Sequence, residues 1–377
     1  MTESPGFFLY VLAFLLMIGP LVFVHELGHY FAGRWFGIKA DAFSIGFGRE
    51  VAGFTDKRGT RWKFGWLPLG GYVKFAGDMN PAGQPSAEWL ALPAAERAQT
   101  FQAKPVWQRA IVVAAGPVTN FLVAILILAG FGMIVGAPSG GATIGEVDRG
   151  SPAAVAGLNA GDRIVTLGGR PMANFREVSQ YVMMRPHELI PVGVRRDGRD
   201  LVIDVSTGER QERDRFGNIY RLGVLGVRSG PIELTPVPLL QAPIHGVRET
   251  VRIVQGTLDG LGQIITGRRS VNELGGPLRI AQVSGDVFAL GPAAFVMLIA
   301  FVSINLGFIN LLPVPVLDGG HLLFYAVEAV RRKPVGPDVM EWAFRGGMVA
   351  ILALMLLVTF NDLGAFGVWR NLAGLIG

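Results

Sequence analysis

The chain contains no cysteine. That excludes disulfides and any thiolate-ligated metal centre, and it leaves the redox compartment open. Charge is scarce as well. Of 377 residues only 17% are Asp, Glu, Lys or Arg, while half are hydrophobic. So few charges argue against an ordinary soluble enzyme, yet they are too many for a bare helix bundle. The composition calls for membrane spans joined to at least one soluble module. The net charge of +5 is modest. Its basic residues gather between the first two apolar runs, which reads as a topology signal and not as a nucleic-acid surface.

Met1 to Pro5 bear no positively charged side chain, and no small-residue cleavage site follows the first apolar run. The first apolar run is therefore expected to stay as a helix and not to be removed as a signal peptide. Four runs could span a bilayer: residues 7–30, with Pro20 as a kink; residues 111–135; a stretch within 287–317; and residues 343–360. Pro313 and Pro315 should end the third helix near Leu311, since proline lacks the N–H donor and clashes with the preceding turn. Residues 31–109 hold eleven Lys and Arg, and residues 318–345 hold Arg331, Arg332, Lys333 and Arg345, whereas the N-terminal tail has none. The positive-inside rule then places both loops in the cytoplasm and both termini, with residues 137–285, outside.

Within that outer segment, residues 142–227 read as short strands at 142–147, 163–167, 191–195 and 201–205. Gly168-Gly169 and Asp197-Gly198 supply turns, and a helix fits 174–184. The run from Ser151-Pro152-Ala153-Ala154 to Gly161-Asp162-Arg163-Ile164 resembles the signature of bacterial PDZ domains. The alternative is a generic small β domain. Residues 238–268 carry Val247, Val251, Val254, Leu258, Leu261 and Ile265 at helical spacing, which suits an amphipathic helix on a membrane surface or packed on the neighbouring domain. On the cytoplasmic side, residues 40–76 alternate aromatic and polar side chains and should form a small sheet. It is either a structural hairpin or an edge that receives an extended peptide.

The chemistry is concentrated at the end of the first apolar run, in His25-Glu26-Leu27-Gly28-His29. HExxH on a helix sets two imidazoles on one face with a carboxylate beside them, the arrangement of zinc proteases. An ionisable cluster at membrane depth is itself a sign of function. A catalytic zinc needs a third protein ligand and an open position for water. His187 and His245 fall on the opposite side. Asp318 and His321 follow the third run and return to the same side as the pair.

His25-Glu26-Leu27-Gly28-His29 together with Asn310-x-x-Pro313-x-Pro315-x-Leu317-Asp318-Gly319 resembles the site-2 protease family of intramembrane metalloproteases, most closely its RseP type. Gly116-Pro117-x-x-Asn120 and Leu274-Gly275-Gly276-Pro277 resemble that type too, and the match covers nearly the whole chain. The resemblance implies a polytopic α-helical membrane protein with four transmembrane helices, a membrane-associated β-sheet and one external PDZ domain of mixed α/β structure. The parts would be residues 1–136 with the HExxH motif and the sheet, 137–230 as the PDZ domain, 231–286 as an amphipathic helical linker, and 287–377 with the last two spans. It further implies Zn2+ held by His25, His29 and Asp318, Glu26 as general base, and Asn310 and Asn305 holding substrate backbone. His321 would serve as a hydrogen-bonding neighbour and not as the third ligand. Implied substrates are single-span membrane proteins of the anti-sigma-factor type and remnant signal peptides, cut in a bacterial inner membrane near its cytoplasmic face. Neither nucleic acid nor a small-molecule cofactor is implied. One departure stands out: the chain has room for a single PDZ domain, so gating schemes with two do not transfer. Two other readings remain open, a PDZ scaffold with a degenerate metal site and a zinc transporter or sensor. The intact Glu26 counts against both.

Overall fold

The computed structural model describes residues 6–77, 89, 92–139, 141–213, 219–230, 233–267 and 275–365. Met1 to Pro5, and Leu274 of the Leu274–Pro277 motif, lie outside the described residues. The helices are α1 (Phe7–Trp35), α2 (Val106–Ile134), α3 (Pro152–Ala156), α4 (Phe175–Met183), α5 (Ala242–Ile265), α6 (Pro277–Ala289), α7 (Pro292–Asn310), α8 (Asp318–Arg331) and α9 (Pro337–Ala365), with a single turn at Ala94–Arg97. The chain divides into two compact units. One holds residues 1–128, 246–259 and 274–362; the other holds 129–245, 260–273 and 363–377.

In the first unit α1, α7, most of α2 and nearly all of α9 are long and apolar enough to cross a membrane. Phe8, Leu126 and Leu356 on three of them are more than 70% exposed. Side chains of that kind suit hydrocarbon and not water. Pro20 sits inside α1, which runs unbroken past Tyr30 to Trp35 and stops where Gly37 takes φ +70°. The third span is shorter than the uncharged stretch that contains it. Gly291 at φ 112° breaks the chain, and Pro292 starts a fresh helix. The residues before this break form α6, a helix that the reading of 231–286 as one amphipathic element did not separate.

Helix α6 packs along α1. A Cβ at Gly285 would collide with the Tyr10 ring, and the Ser284 hydroxyl lies 3.7 Å from Met17 Sδ. Its first turn is capped from α9: buried Asp362 accepts from the backbone N–H of Gly276 (3.0 Å) and of Arg279 (3.1 Å). A carboxylate at a helix N-terminus satisfies donors that have no partner within the helix.

Strands β1 (Ala40–Thr55) and β2 (Arg61–Phe75) pair antiparallel with a double register, so that Ala42 opposes both Lys74 and Arg61. Each strand bends, and four segments lie side by side in the order 50–55, 61–65, 40–45, 71–75. The bend in β1 falls at Gly46 and Gly48, both with φ near +85°, a conformation that glycine adopts without steric cost. Phe43 is fully buried against Phe23, Tyr30 and Trp62, which fixes the sheet to α1.

The second unit is built on an antiparallel sheet in the order β11 (Val227–Ser229), β4 (Ala142–Val147), β5 (Arg163–Leu167), β7 (Leu189–Arg196), β8 (Arg199–Ser206), with β6 (Arg170–Pro171) beside β5. Ile144, Ile164, Leu167, Val192, Val194 and Val205 form its core with Val178 and Val182 of α4. Two small pairs complete it, β9 (Gly208–Arg213) with β10 (Ile219–Val224) and β3 (Ala137–Ser139) with β12 (Glu233–Thr235). The strands and helix expected over 142–227 are present; β3, β6, β9, β10, β11, β12 and helix α3 are additional. Arg196 grips the buried Asp162 carboxylate through two bonds of 2.7 Å. A cavity of about 640 Å³ is lined by Phe175, Val178 and Val182 of α4 and by Leu225 and Val227.

Candidate metal centre

Helical spacing puts His25 and His29 one turn apart on α1. The Leu311–Leu317 turn brings Asp318, the first residue of α8, against them. His25 Nε2 lies 3.2 Å from His29 Nε2 and 3.2 Å from Asp318 Oδ2, and His29 Nε2 lies 3.6 Å from the same oxygen. In a tetrahedral zinc site with bonds of about 2.0–2.1 Å, neighbouring ligand atoms sit roughly 3.4 Å apart. Two imidazoles and one carboxylate at these separations therefore fit zinc and leave a fourth position open.

The surroundings favour the same use. His29 Nδ1 lies 2.9 Å from the Val112 carbonyl oxygen. A carbonyl only accepts, so Nδ1 carries the proton and Nε2 keeps its lone pair for a metal. Gly116 on α2 lies beneath the imidazoles, and a Cβ there would strike the His29 ring and come within 2.9 Å of His25 Nε2. The absence of a side chain at Gly116 thus makes room for the pair. His25 Nδ1 faces the Asn120 amide at 3.1 Å.

A cavity of about 420 Å³ opens on this cluster. Glu26, Asn310 and His321 line it, together with Gly70, Gly71, Tyr72 and Val73 at the outer segment of the sheet. His321 is three residues along α8 from Asp318, with its ring 5.0 Å from that of Phe344. Among the described residues the one group with three metal-ligating side chains is His25, His29 and Asp318. Asn305 stands apart from the residues lining the cavity. Its carbonyl accepts from the Thr257 hydroxyl (3.0 Å) and its amino group donates to Phe301 O (2.9 Å), so both ends of the amide are engaged. Reading residues alone missed the Val112 carbonyl, which has no side-chain signature. It also gave no task to Gly116 and Asn120, although Gly116-Pro117-x-x-Asn120 was visible as a motif.

The sequence model of Peptidase family M50 matches residues 13–354. The chain belongs to this family, the site-2 proteases. A protein of Agrobacterium fabrum named as a candidate zinc metalloprotease is 45% identical over 361 residues, covering 94% of this chain and 96% of the relative. One of Rhizobium meliloti, named in the same way, is 43% identical over 355 residues, covering 93% and 95%. The metalloprotease MmpA of Caulobacter vibrioides is 35% identical over 394 residues, covering 98% and 99%. The chain is accordingly a membrane-embedded metalloprotease, and its cofactor is Zn2+.

Proposed function

We propose that this M50 peptidase cleaves peptide bonds within transmembrane segments, with His25, His29 and Asp318 holding zinc and Glu26 acting as general base. The observation that carries this reading is the convergence of three ligand atoms, 3.2–3.6 Å apart, on a cavity that Glu26 also lines. When bound, zinc supplies Lewis acidity, polarising a carbonyl and lowering the pKa of water to about 7. Glu26 removes a proton from the attacking water as its oxygen bonds to the scissile carbonyl carbon. It then delivers that proton to the peptide nitrogen as the C–N bond breaks, leaving a carboxylate end and an amine end. The Asn310 amide lines the same cavity and is suited to donate to the carbonyl oxygen as charge builds on it.

A transmembrane helix hides its peptide bonds, so the substrate must unwind, and each freed backbone group costs several kcal/mol in lipid unless it is paired again. Residues 71–75 form an outer segment of the bent sheet and line the cavity through Gly71, Tyr72, Val73 and Phe75. An extended substrate adding to that edge would regain its hydrogen bonds. Single-span proteins of the anti-sigma-factor type, already trimmed outside, and remnant signal peptides fit this use. The membrane is a bacterial inner membrane, with the site near its cytoplasmic face and both termini and residues 137–230 on the periplasmic side, an orientation supported by the Lys and Arg count of the loops. Residues 142–227 act as a PDZ filter for trimmed substrates, a role supported by the cavity between α4 and β11, which sets Phe175, Val178 and Val182 beside Asp148, Glu209 and Arg228.

One pair of variants tests the centre. Glu26→Gln should abolish cleavage of a single-span reporter while bound zinc stays near stoichiometric. Asp318→Asn should weaken zinc itself. Undiminished cleavage by purified Glu26→Gln would sink the proteolytic reading, and full zinc retention in Asp318→Asn would shift the third ligand to His321.

A further inference from the structure

We infer that Asn120 sets the tautomer of His25: its side-chain carbonyl accepts the Nδ1–H, so that Nε2 presents a lone pair to the metal. The inference rests on the reading of His25 as a zinc ligand and adds a positioning residue to it.

Asn120 lies on α2, one turn beyond Gly116, and is fully buried. Its backbone carbonyl accepts from the Ser303 hydroxyl at 2.8 Å, which ties this point of α2 to α7. Its side chain makes one polar contact among the described residues, Nδ2 to His25 Nδ1 at 3.1 Å, and Oδ1 is buried with no partner. A buried amide carbonyl without a partner is uncommon and calls for an explanation.

With Nδ2 toward the ring, the amide donates and His25 must carry its proton on Nε2. That proton would point into the cluster, where His29 Nε2 and Asp318 Oδ2 each lie 3.2 Å away. A nitrogen in that state cannot bind a cation. A half-turn of the amide exchanges its oxygen and nitrogen with no change of shape. The carbonyl then accepts from Nδ1–H and Nε2 is bare. The turn moves the unpaired position from an acceptor to a donor, so no other hydrogen bond selects either orientation. The missing partner is what leaves the amide free to follow the ring.

The two histidines thus reach one tautomer by different means. His29 uses the Val112 backbone carbonyl, which cannot rotate. His25 uses an amide, which can. Loading the metal and turning Asn120 are one coupled event, and the metal-free protein can rest with the amide donating.

The test uses full-length protein in nanodiscs, labelled with 15N-histidine, zinc-loaded and zinc-stripped. Zinc-loaded wild type should show His25 protonated at Nδ1. Asn120→Asp, which keeps an acceptor, should retain that tautomer and hold zinc within a few-fold of wild type. Asn120→Leu should weaken zinc by about 10–100-fold, the usual loss when a ligand's hydrogen-bond partner is removed, while the zinc-stripped thermal midpoint changes little. Wild-type affinity in Asn120→Leu, or equal damage from Asp and Leu, would overturn the assignment. If Leu fails to fold, the Asp variant and the wild-type tautomer decide alone. Unchanged zinc affinity in His25→Ala would instead remove the zinc reading on which the assignment stands.

Discussion

Arg109, at the start of α2, holds Glu328, near the end of α8, at 2.7 Å. Its guanidinium also lies 4.9 Å from the centre of the Tyr325 ring. Both charged side chains are mostly buried. Asp318 opens the same helix α8, so this clasp fixes the orientation of the helix that presents the aspartate to His25 and His29. Glu328→Gln should destabilise the protein by about 2 kcal/mol, between the values typical of exposed and of fully buried pairs. It should also weaken zinc binding, although Glu328 is no ligand. Zinc titration of the variant against wild type, with unfolding followed in parallel, is the measurement; unaltered zinc affinity would show that α8 is positioned without the clasp.

Asn310 and Asn305 look alike in sequence and differ in surroundings. Asn310→Ala should lower kcat/KM by about 100-fold, the scale of losing one preorganised donor, with zinc content unchanged. Asn305→Ala should leave kcat/KM within a few-fold and lower stability slightly instead, because the Thr257 hydroxyl loses its tie to α7 and keeps only the Ile253 carbonyl, at 3.1 Å, as acceptor. Reporter cleavage and thermal unfolding of both variants separate the two roles, and a larger kinetic loss at Asn305 would reverse the assignment.

The Arg196 guanidinium, with help from the Asn159 backbone N–H, holds the Asp162 carboxyl below the usual carboxylate range. A carboxylate whose folded value is depressed contributes stability that is fully present above its unfolded pKa, about 3.9. That contribution fades as pH falls through the folded value. The second unit should therefore lose protection between roughly pH 4 and the lower folded value, and Asp162→Asn should flatten this dependence at a cost of about 2 kcal/mol at neutral pH. Amide hydrogen exchange in β5 and β7 across that range reads the effect; an identical acid profile in the variant would dismiss the Arg196–Asp162 pair as its source.

Removal of residues 142–227 should leave cleavage of a trimmed single-span reporter nearly intact while admitting the untrimmed form. Preference for the trimmed reporter is the quantity to compare, and an unchanged ratio would end the filter proposal.

Much of the first unit was legible because its signals are local. Uncharged length marks the four spans, aromatic alternation marks the β1–β2 sheet, and Pro313 and Pro315 mark the end of α7 beyond Asn310. His25 and His29 could be named from the HExxH spacing alone, whereas the choice of Asp318 over His321 came from the resemblance carried by Asn310-x-x-Pro313-x-Pro315-x-Leu317-Asp318-Gly319. The Val112 carbonyl could not be named, since every residue has one. Asn305 misled for a geometric reason: five residues from Asn310 puts it about 140° around the helix, facing α5 and not the cavity. Helix α6 was hidden because Val287, Phe288 and Ala289 continue the apolar composition of α7, although Gly291-Pro292 marks a break in the sequence and Gly291 turns the backbone there at φ 112°. The double register of β1 and β2 was likewise invisible, because alternation shows which face a residue takes and not which neighbour it pairs with.

The β3–β12 pair sets Ala137 opposite Thr235 and Ser139 opposite Glu233. Nearly a hundred intervening residues thus leave and rejoin the chain at one narrow neck. Such a neck makes the inserted domain exchangeable: a different domain, or a short turn, could be spliced between Ala137 and Thr235 while α1 and α8, which carry His25, His29 and Asp318, keep their own sequence. Under the proposed filter role, a lineage could change which proteins are admitted while His25, Glu26, His29 and Asp318 stay untouched, and an engineer could do so by grafting at the same two positions.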